Sequence, residues 1–237
     1  MISKIKLFRK VYSNFKELKK ILKQIKNSIK SDKILIIGSS GLIKNYYLEK
    51  IINNFPFVIR LNANPTKGFE KYVGTKMDLH ACHELIFNCN LSKYNTIQNI
   101  DDNYINNIKN SKIFVIKETE LKNISKVKNR NNEIIVFPAY LNKYLRFITI
   151  SKFNYYKKFK SLKENKFSIG LVLICIFLIL KKKIYIAGFD LNKTSNNINY
   201  YYQTTLNLEK ITVHNFSKEN DIIKKLIINK KVINLME

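Results

Sequence analysis

The sequence predicts a single α/β domain: a mostly parallel, twisted sheet of about seven strands with helices on both faces. Three observations carry this. Short apolar runs alternate with helical stretches from Lys33 to the end of the chain, the pattern that parallel βαβ units produce. Gly38-Ser39-Ser40-Gly41 follows the first run and precedes a helical segment, so its backbone amides can approach a phosphate or sugar at a helix start. The chain has 237 residues, 46% of them hydrophobic, enough for one domain with a real core, and no Pro- or Gly-rich linker divides it.

Residues 1–31 form the first element, and residues 32–237 form the domain proper. Phe8, Val11, Phe15, Leu18, Leu22, Ile25 and Ile29 alternate spacings of three and four, which is a helical apolar stripe. Lysines crowd its other faces. Such a helix either docks on an anionic membrane surface or packs on the protein's own core or a second subunit, so a membrane contact through residues 1–30 and an oligomer both stay open. Strands are expected at Ile34–Ile37, Phe57–Leu61, Asp78–Ala81, Ile113–Ile116, Ile134–Phe137, Ile184–Ala187 and Val232–Leu235. Ligands of such sheets bind at the carboxyl ends of the strands, where Gly38–Gly41, Arg60–Gly68 and Gly188–Asn192 fall. Residues 169–180 are apolar throughout but fall short of the roughly 20 that a membrane span needs, which predicts a buried helix. The Asn- and Lys-rich stretch 126–133 reads as a solvated loop, and residues 83–166 carry no interpretable motif.

Lys and Arg total 43 against 17 Asp and Glu, a net charge of +26, so the substrate or partner is expected to be anionic. Membrane, glycan, nucleotide donor and nucleic acid all satisfy that. No RNA- or DNA-binding motif accompanies the charge, so a nucleic-acid or membrane-binding protein without activity is the weaker reading. Cys82, Cys89 and Cys175 make neither a disulfide framework nor a zinc site, and no secretory signal opens the chain. A cytoplasmic protein, peripheral on the inner face of the membrane, is the expectation. His80, Cys82 and His83 lack further ligands and suit a strand end better than a metal centre.

Arg60-Leu61-Asn62-Ala63-Asn64-Pro65-Thr66-Lys67-Gly68-Phe69-Glu70, closed by Val73-Gly74-Thr75-Lys76, is more elaborate than a reversal of direction needs. It reads as a ligand loop in which Asn62 faces the ligand, Pro65, Gly68 and Gly74 set the shape, and Arg60 is a buried ion-pair partner. Ser168, Ile169 and Gly170 open the buried helix, where free amides and the helix dipole favour an anion and where serine also simply caps. His214 is the one histidine in the C-terminal half of the chain, either a base for a hydroxyl or a surface residue. Glu219, five residues on, would orient it or cap the next helix. Tyr200-Tyr201-Tyr202 is either a packing cluster or a set of hydroxyl donors. No Asp-x-Asp metal signature occurs.

Taken in order, Ile36–Gly41, the Val58–Lys76 block, Phe167–Gly170 with Ile184–Asp190, Tyr200–Gln203, and His214 with Glu219 resemble the large, small, third and very small sialylmotifs of the eukaryotic-type sialyltransferases. The resemblance implies a Rossmann-like domain, a variant of the nucleotide-sugar glycosyltransferase fold, and an inverting, metal-independent enzyme that needs no cofactor. The donor would be CMP-sialic acid, with CMP-Kdo as the alternative, and the acceptor a glycan or glycolipid. By the same resemblance His214 is the base, Glu219 supports it, and Tyr200, or its neighbour Tyr201 or Tyr202, stands where the family has a histidine assisting the leaving phosphate. Gly38, Ser39, Ser40, Asn62, Ser168, Ile169, Gly170, Gly188 and Tyr201 would bind the donor. Ser39 replaces the family's usual asparagine, and the family's paired cysteines are absent from Lys33–Ile37 and Lys181–Lys183.

Overall fold

The computed structural model describes residues 2–83, 110–117, 133–153, 167–192, 200–202 and 216–237. Seven strands, β1 (Lys33–Ile37), β2 (Val58–Leu61), β3 (Leu79–His83), β4 (Lys112–Lys117), β5 (Ile134–Pro138), β6 (Lys183–Ala187) and β7 (Val232–Asn234), form one sheet in the order β5-β4-β3-β2-β1-β6-β7. All six neighbouring pairs are parallel. Each strand matches an expected apolar run, because strands buried on both faces read as nearly continuous hydrophobic segments.

Successive side chains point to opposite faces, and both faces are covered. Ile34 and Ile36 of β1 join the larger core with α1 (Ile2–Ser28), α4 (Asn142–Phe153), α5 (Ile169–Ile179) and α6 (Phe216–Ile228). Leu35 and Ile37 face the other layer, where a 3₁₀ turn (Gly41–Asn45), α2 (Glu49–Asn53) and α3 (Glu70–Val73) pack. The expected buried helix is α5. Residues 169–178 are all buried because α4 lies on one side of the helix and the sheet on the other. Among the described residues no helix is long and apolar enough to cross a membrane.

Of the two outcomes open for the first helix, packing on the protein's own core is observed for much of the stripe. Leu18, Ile21, Leu22, Ile25 and Ile29 are buried, at about 1.5–3 kcal/mol for each large side chain fully removed from water. The Phe15 ring meets Tyr144 of α4 edge-on at 5.0 Å, and Asn14 Nδ2 donates to the Tyr144 hydroxyl at 2.7 Å. α1 runs antiparallel to β5: the Ser28 hydroxyl donates to Glu133 just before β5, and the Tyr140 hydroxyl just past its carboxyl end donates to Glu17. Cys82 and Cys175 are buried free thiols whose ionisation burial suppresses. Most of 126–133, like Cys89, lies outside the described residues.

Candidate functional site

The chain lays down β1 to β5 towards one edge of the sheet, then returns to add β6 and β7 on the other side of β1. Strand order therefore reverses between β1 and β6, and the loops leaving these strands separate into a crevice there. Gly38 and Gly188 are the first residues of those loops and touch through their backbones. A Cβ on Gly38 would lie 2.4 Å from Gly188 O, and one on Gly188 would lie 2.5 Å from Gly38 O. Gly188 also has φ +71°, in the left-handed region. Gly38 N donates to Ala187 O (2.8 Å) and Ser40 N to Gly188 O (2.9 Å). The Ser40 hydroxyl accepts from Leu42 N at 3.3 Å and so caps the 3₁₀ turn. Ser39 is half-buried beside it, and its carbonyl accepts from Tyr201 N at 3.2 Å.

The loop after β2 forms the next wall. Asn62 is half-buried at the strand's carboxyl end with φ +51°; its N–H donates to Ala81 O (2.8 Å) and its carbonyl accepts from His80 Nε2 (2.7 Å). His80 is fully buried, and desolvation pulls its pKa down to about 4, so the ring is neutral and that nitrogen carries the hydrogen. Arg60, also fully buried, acts elsewhere. Its Nη2 donates to Val73 O (2.7 Å) and Gly74 O (2.9 Å), its Nε to Lys76 O (3.0 Å) and its Nη1 to Asn64 Oδ1 (2.9 Å). The cation thus satisfies carbonyls left open at the end of α3. The partners described for it are carbonyl and amide oxygens.

Asn64 joins three segments. Besides accepting from Arg60, its Oδ1 lies 2.9 Å from the Tyr201 hydroxyl, and its Nδ2 donates to Gly38 O at 2.8 Å. It is fully buried. Nothing in its residue type distinguishes it from Asn62; only the fold, which brings Gly38 and Tyr201 against it, sets it apart.

Tyr200 pairs with Ser40 in an isolated antiparallel bridge and stacks on Tyr202 at 5.0 Å. Burial pushes its phenol up to about 12, so it stays a neutral hydrogen-bond donor throughout the working pH range. Tyr201 is packed more deeply than Tyr200. Its ring is buried edge-on to Phe69, and its hydroxyl lies 2.7 Å from Pro65 O and 2.9 Å from Asn64 Oδ1, donating its single hydrogen between them.

At the opening of α5 the Ser168 hydroxyl accepts from Leu171 N (3.3 Å) and donates to Glu219, while Ser168 N donates to Glu219 Oε1 (2.9 Å). Both donors of Ser168 are therefore committed to this chain's own carboxyl group. Gly170 permits close packing: a Cβ there would lie 2.9 Å from Phe189 and 3.2 Å from Leu61. The amides of Ile169 and Gly170 lie in the first turn, where the helix itself supplies no acceptor. His214, the expected base, lies outside the described residues, so the structure does not relate it to Glu219. Among the described residues no three His, Cys, Asp or Glu side chains converge as metal ligands.

Glu219 is buried, and desolvation raises its pKa to about 7 against the opposing pull of the two Ser168 hydrogen bonds. Folding thus favours the protonated acid. The resulting stability is complete below the ordinary carboxylate range and is lost as pH rises through about 7. Glu219→Gln removes this dependence. Relative to the parent it should gain on the order of 3 kcal/mol between about pH 4.5 and pH 8, read from urea denaturation. Parallel stability profiles of the two proteins would contradict this assignment.

Comparison with known proteins follows the same lines. The chain is 25% identical over 226 residues to mouse (Mus musculus) Type 2 lactosamine alpha-2,3-sialyltransferase, covering 85% of this chain and 64% of that protein. It is 40% identical over 53 residues to human (Homo sapiens) CMP-N-acetylneuraminate-beta-1,4-galactoside alpha-2,3-sialyltransferase, covering 22% of this chain and 14% of that one. The chain thus spans less than two thirds of the length of these relatives. A crystal structure of a mammalian sialyltransferase superposes with a TM-score of 0.58 at 16% identity, covering 86% of this chain and 68% of that one, and shows the shared fold. The model of glycosyltransferase family 29 (sialyltransferase) matches residues 2–231, and the chain belongs to that family.

Proposed function

We propose that this protein transfers sialic acid from CMP-sialic acid to a hydroxyl of a glycan acceptor, with inversion and without a metal. The observation that carries this, beside family membership, is the meeting of the glycine loop, the tyrosine segment and the start of α5 at the carboxyl ends of β1, β2 and β6. Gly38, Ser40 and Gly188 form the floor of the donor crevice. Ser39 and Asn62 contact the nucleotide, and the amides of Ile169 and Gly170 receive the donor carboxylate at the positive end of α5. Tyr201 and Ser168 act one step back, through Asn64 and Glu219.

In the reaction the acceptor oxygen attacks the anomeric carbon on the side opposite CMP, and His214 takes the hydroxyl proton. The bond from that carbon to the phosphate oxygen breaks, and CMP leaves with its electron pair. Charge grows on the phosphate as it departs, so donors aimed there matter most. Tyr200 supplies one as a permanently protonated phenol.

Incubating the purified chain with a galactose-terminated glycan and either CMP-sialic acid or CMP-Kdo tests the reading. Acceptor-dependent CMP release from CMP-sialic acid is expected. Release from CMP-Kdo alone would move the donor to that sugar, and release from neither by a folded, CMP-binding protein would overturn transferase function.

A further inference from the structure

We propose that a column of lysines along α1 docks the protein on an anionic membrane surface. Tyr12, Lys16, Lys19, Lys23, Lys26 and Lys30 follow one another at spacings of four, three, four, three and four, so they form one stripe beside the buried apolar one. Helical bonding continues to Ile29, whose N–H donates to Ile25 O at 2.9 Å, and the stripe is about 27 Å long at 1.5 Å per residue. All six side chains are exposed. Among the described residues none of the five lysines makes an ion pair. Glu17, the one acid in α1, lies on the other flank and takes the Tyr140 hydroxyl. Like charges at these spacings weaken a helix, a local cost that an anionic partner would offset.

Two exposed rings lie at one end of the column. Tyr12 is 67% exposed, and Phe147 of α4 is 61% exposed with its ring 6.2 Å from Phe15, one turn along from Tyr12. Aromatic rings at the margin of a lysine surface suit the interface between lipid headgroups and hydrocarbon. A platform for single-stranded nucleic acid would instead interleave rings with the charges. The apolar stripe of α1 from Leu18 onward is committed to the core, so the helix cannot turn it towards lipid and docking is electrostatic. Because α1 is antiparallel to β5, the aromatic end points to the side of the sheet on which the glycine loops open. Docking along α1 lays the strands parallel to the bilayer, so the crevice opens along the membrane surface and not away from it.

Co-sedimentation of the full chain with phosphatidylcholine vesicles, with and without phosphatidylglycerol, tests this without reference to catalysis. Binding should require the anionic lipid and fall with salt. The quadruple variant Lys16→Glu, Lys19→Glu, Lys23→Glu, Lys26→Glu should bind at least about tenfold more weakly. Lys50→Glu, Lys183→Glu, Lys225→Glu, Lys231→Glu makes the same change in net charge elsewhere and should bind nearly as the parent does. The matching set of Lys→Gln changes on the column, with an unchanged melting curve, separates lost docking from lost folding. Equal losses in the two quadruple variants, or full binding by the column variant, would overturn the proposal. Tighter binding to single-stranded RNA than to the vesicles at equal salt would do so in favour of nucleic acid.

Discussion

Arg60→Lys should lower the melting temperature by roughly 10 °C and weaken CMP binding with it, although the charge is kept. Four donors of the guanidinium reach Val73 O, Gly74 O, Lys76 O and Asn64 Oδ1 within 2.7–3.0 Å, all but the bond to Lys76 O fully buried. An ammonium group is a compact point donor that cannot reproduce a planar fork spanning this set. At least two acceptors lose their partner, and each buried polar group left unpaired costs about 1–3 kcal/mol. With the buried charge less well solvated, a total of roughly 3–5 kcal/mol is expected, and each kcal/mol moves the midpoint of a domain of this size by about 2–4 °C. The loss passes through Asn64 to Gly38 and Tyr201, which is why donor affinity should fall as well. Calorimetry and CMP titration check both. A midpoint within about 2 °C of the parent would mean that the loop does not depend on this clamp.

His214→Ala should reduce acceptor-dependent CMP release by about 10²–10⁴-fold, the usual contribution of a positioned general base. CMP affinity should change by less than about twofold, since the proposed base touches the acceptor and not the nucleotide. The two readouts separate a base from a structural histidine: a residue that merely held the fold would lower affinity and stability together. Unchanged turnover in the variant would remove His214 from the mechanism. A large loss of CMP affinity would make it a binding residue.

The sheet could be read from sequence because parallel strands are buried on both faces and announce themselves as apolar runs. α5 was legible for a similar reason: a helix apolar all round can only be buried. α1 was not, since a stripe at helical spacing looks the same whether it meets lipid or core, and only the packing of Leu18, Ile25 and Ile29 decides. Within the site, the glycines stood out by type, but the contact that demands them joins Gly38 to Gly188, far apart in the chain. The Ser168 to Glu219 link spans 51 residues and leaves no local trace. Three consecutive tyrosines were also indistinguishable on paper. Their contacts separate them, with the Tyr201 hydroxyl turned inward to Asn64 and Pro65 while Tyr200 stacks on Tyr202.

The pairing of β1 with β6 has a bearing on how the protein comes to exist at all. Ile37 is in register with Ala187, so β1, an interior strand of the sheet, acquires its second neighbour only after most of the chain has been synthesised. Contacts this distant are slow to form, and an unfinished sheet exposes an open strand edge while it waits. On the ribosome, β1 to β5 can assemble first, whereas the crevice between the glycine loops has no second side until β6 arrives. A nascent chain halted before residue 183 should therefore hold much of the sheet yet bind no nucleotide, and be prone to self-association along that edge.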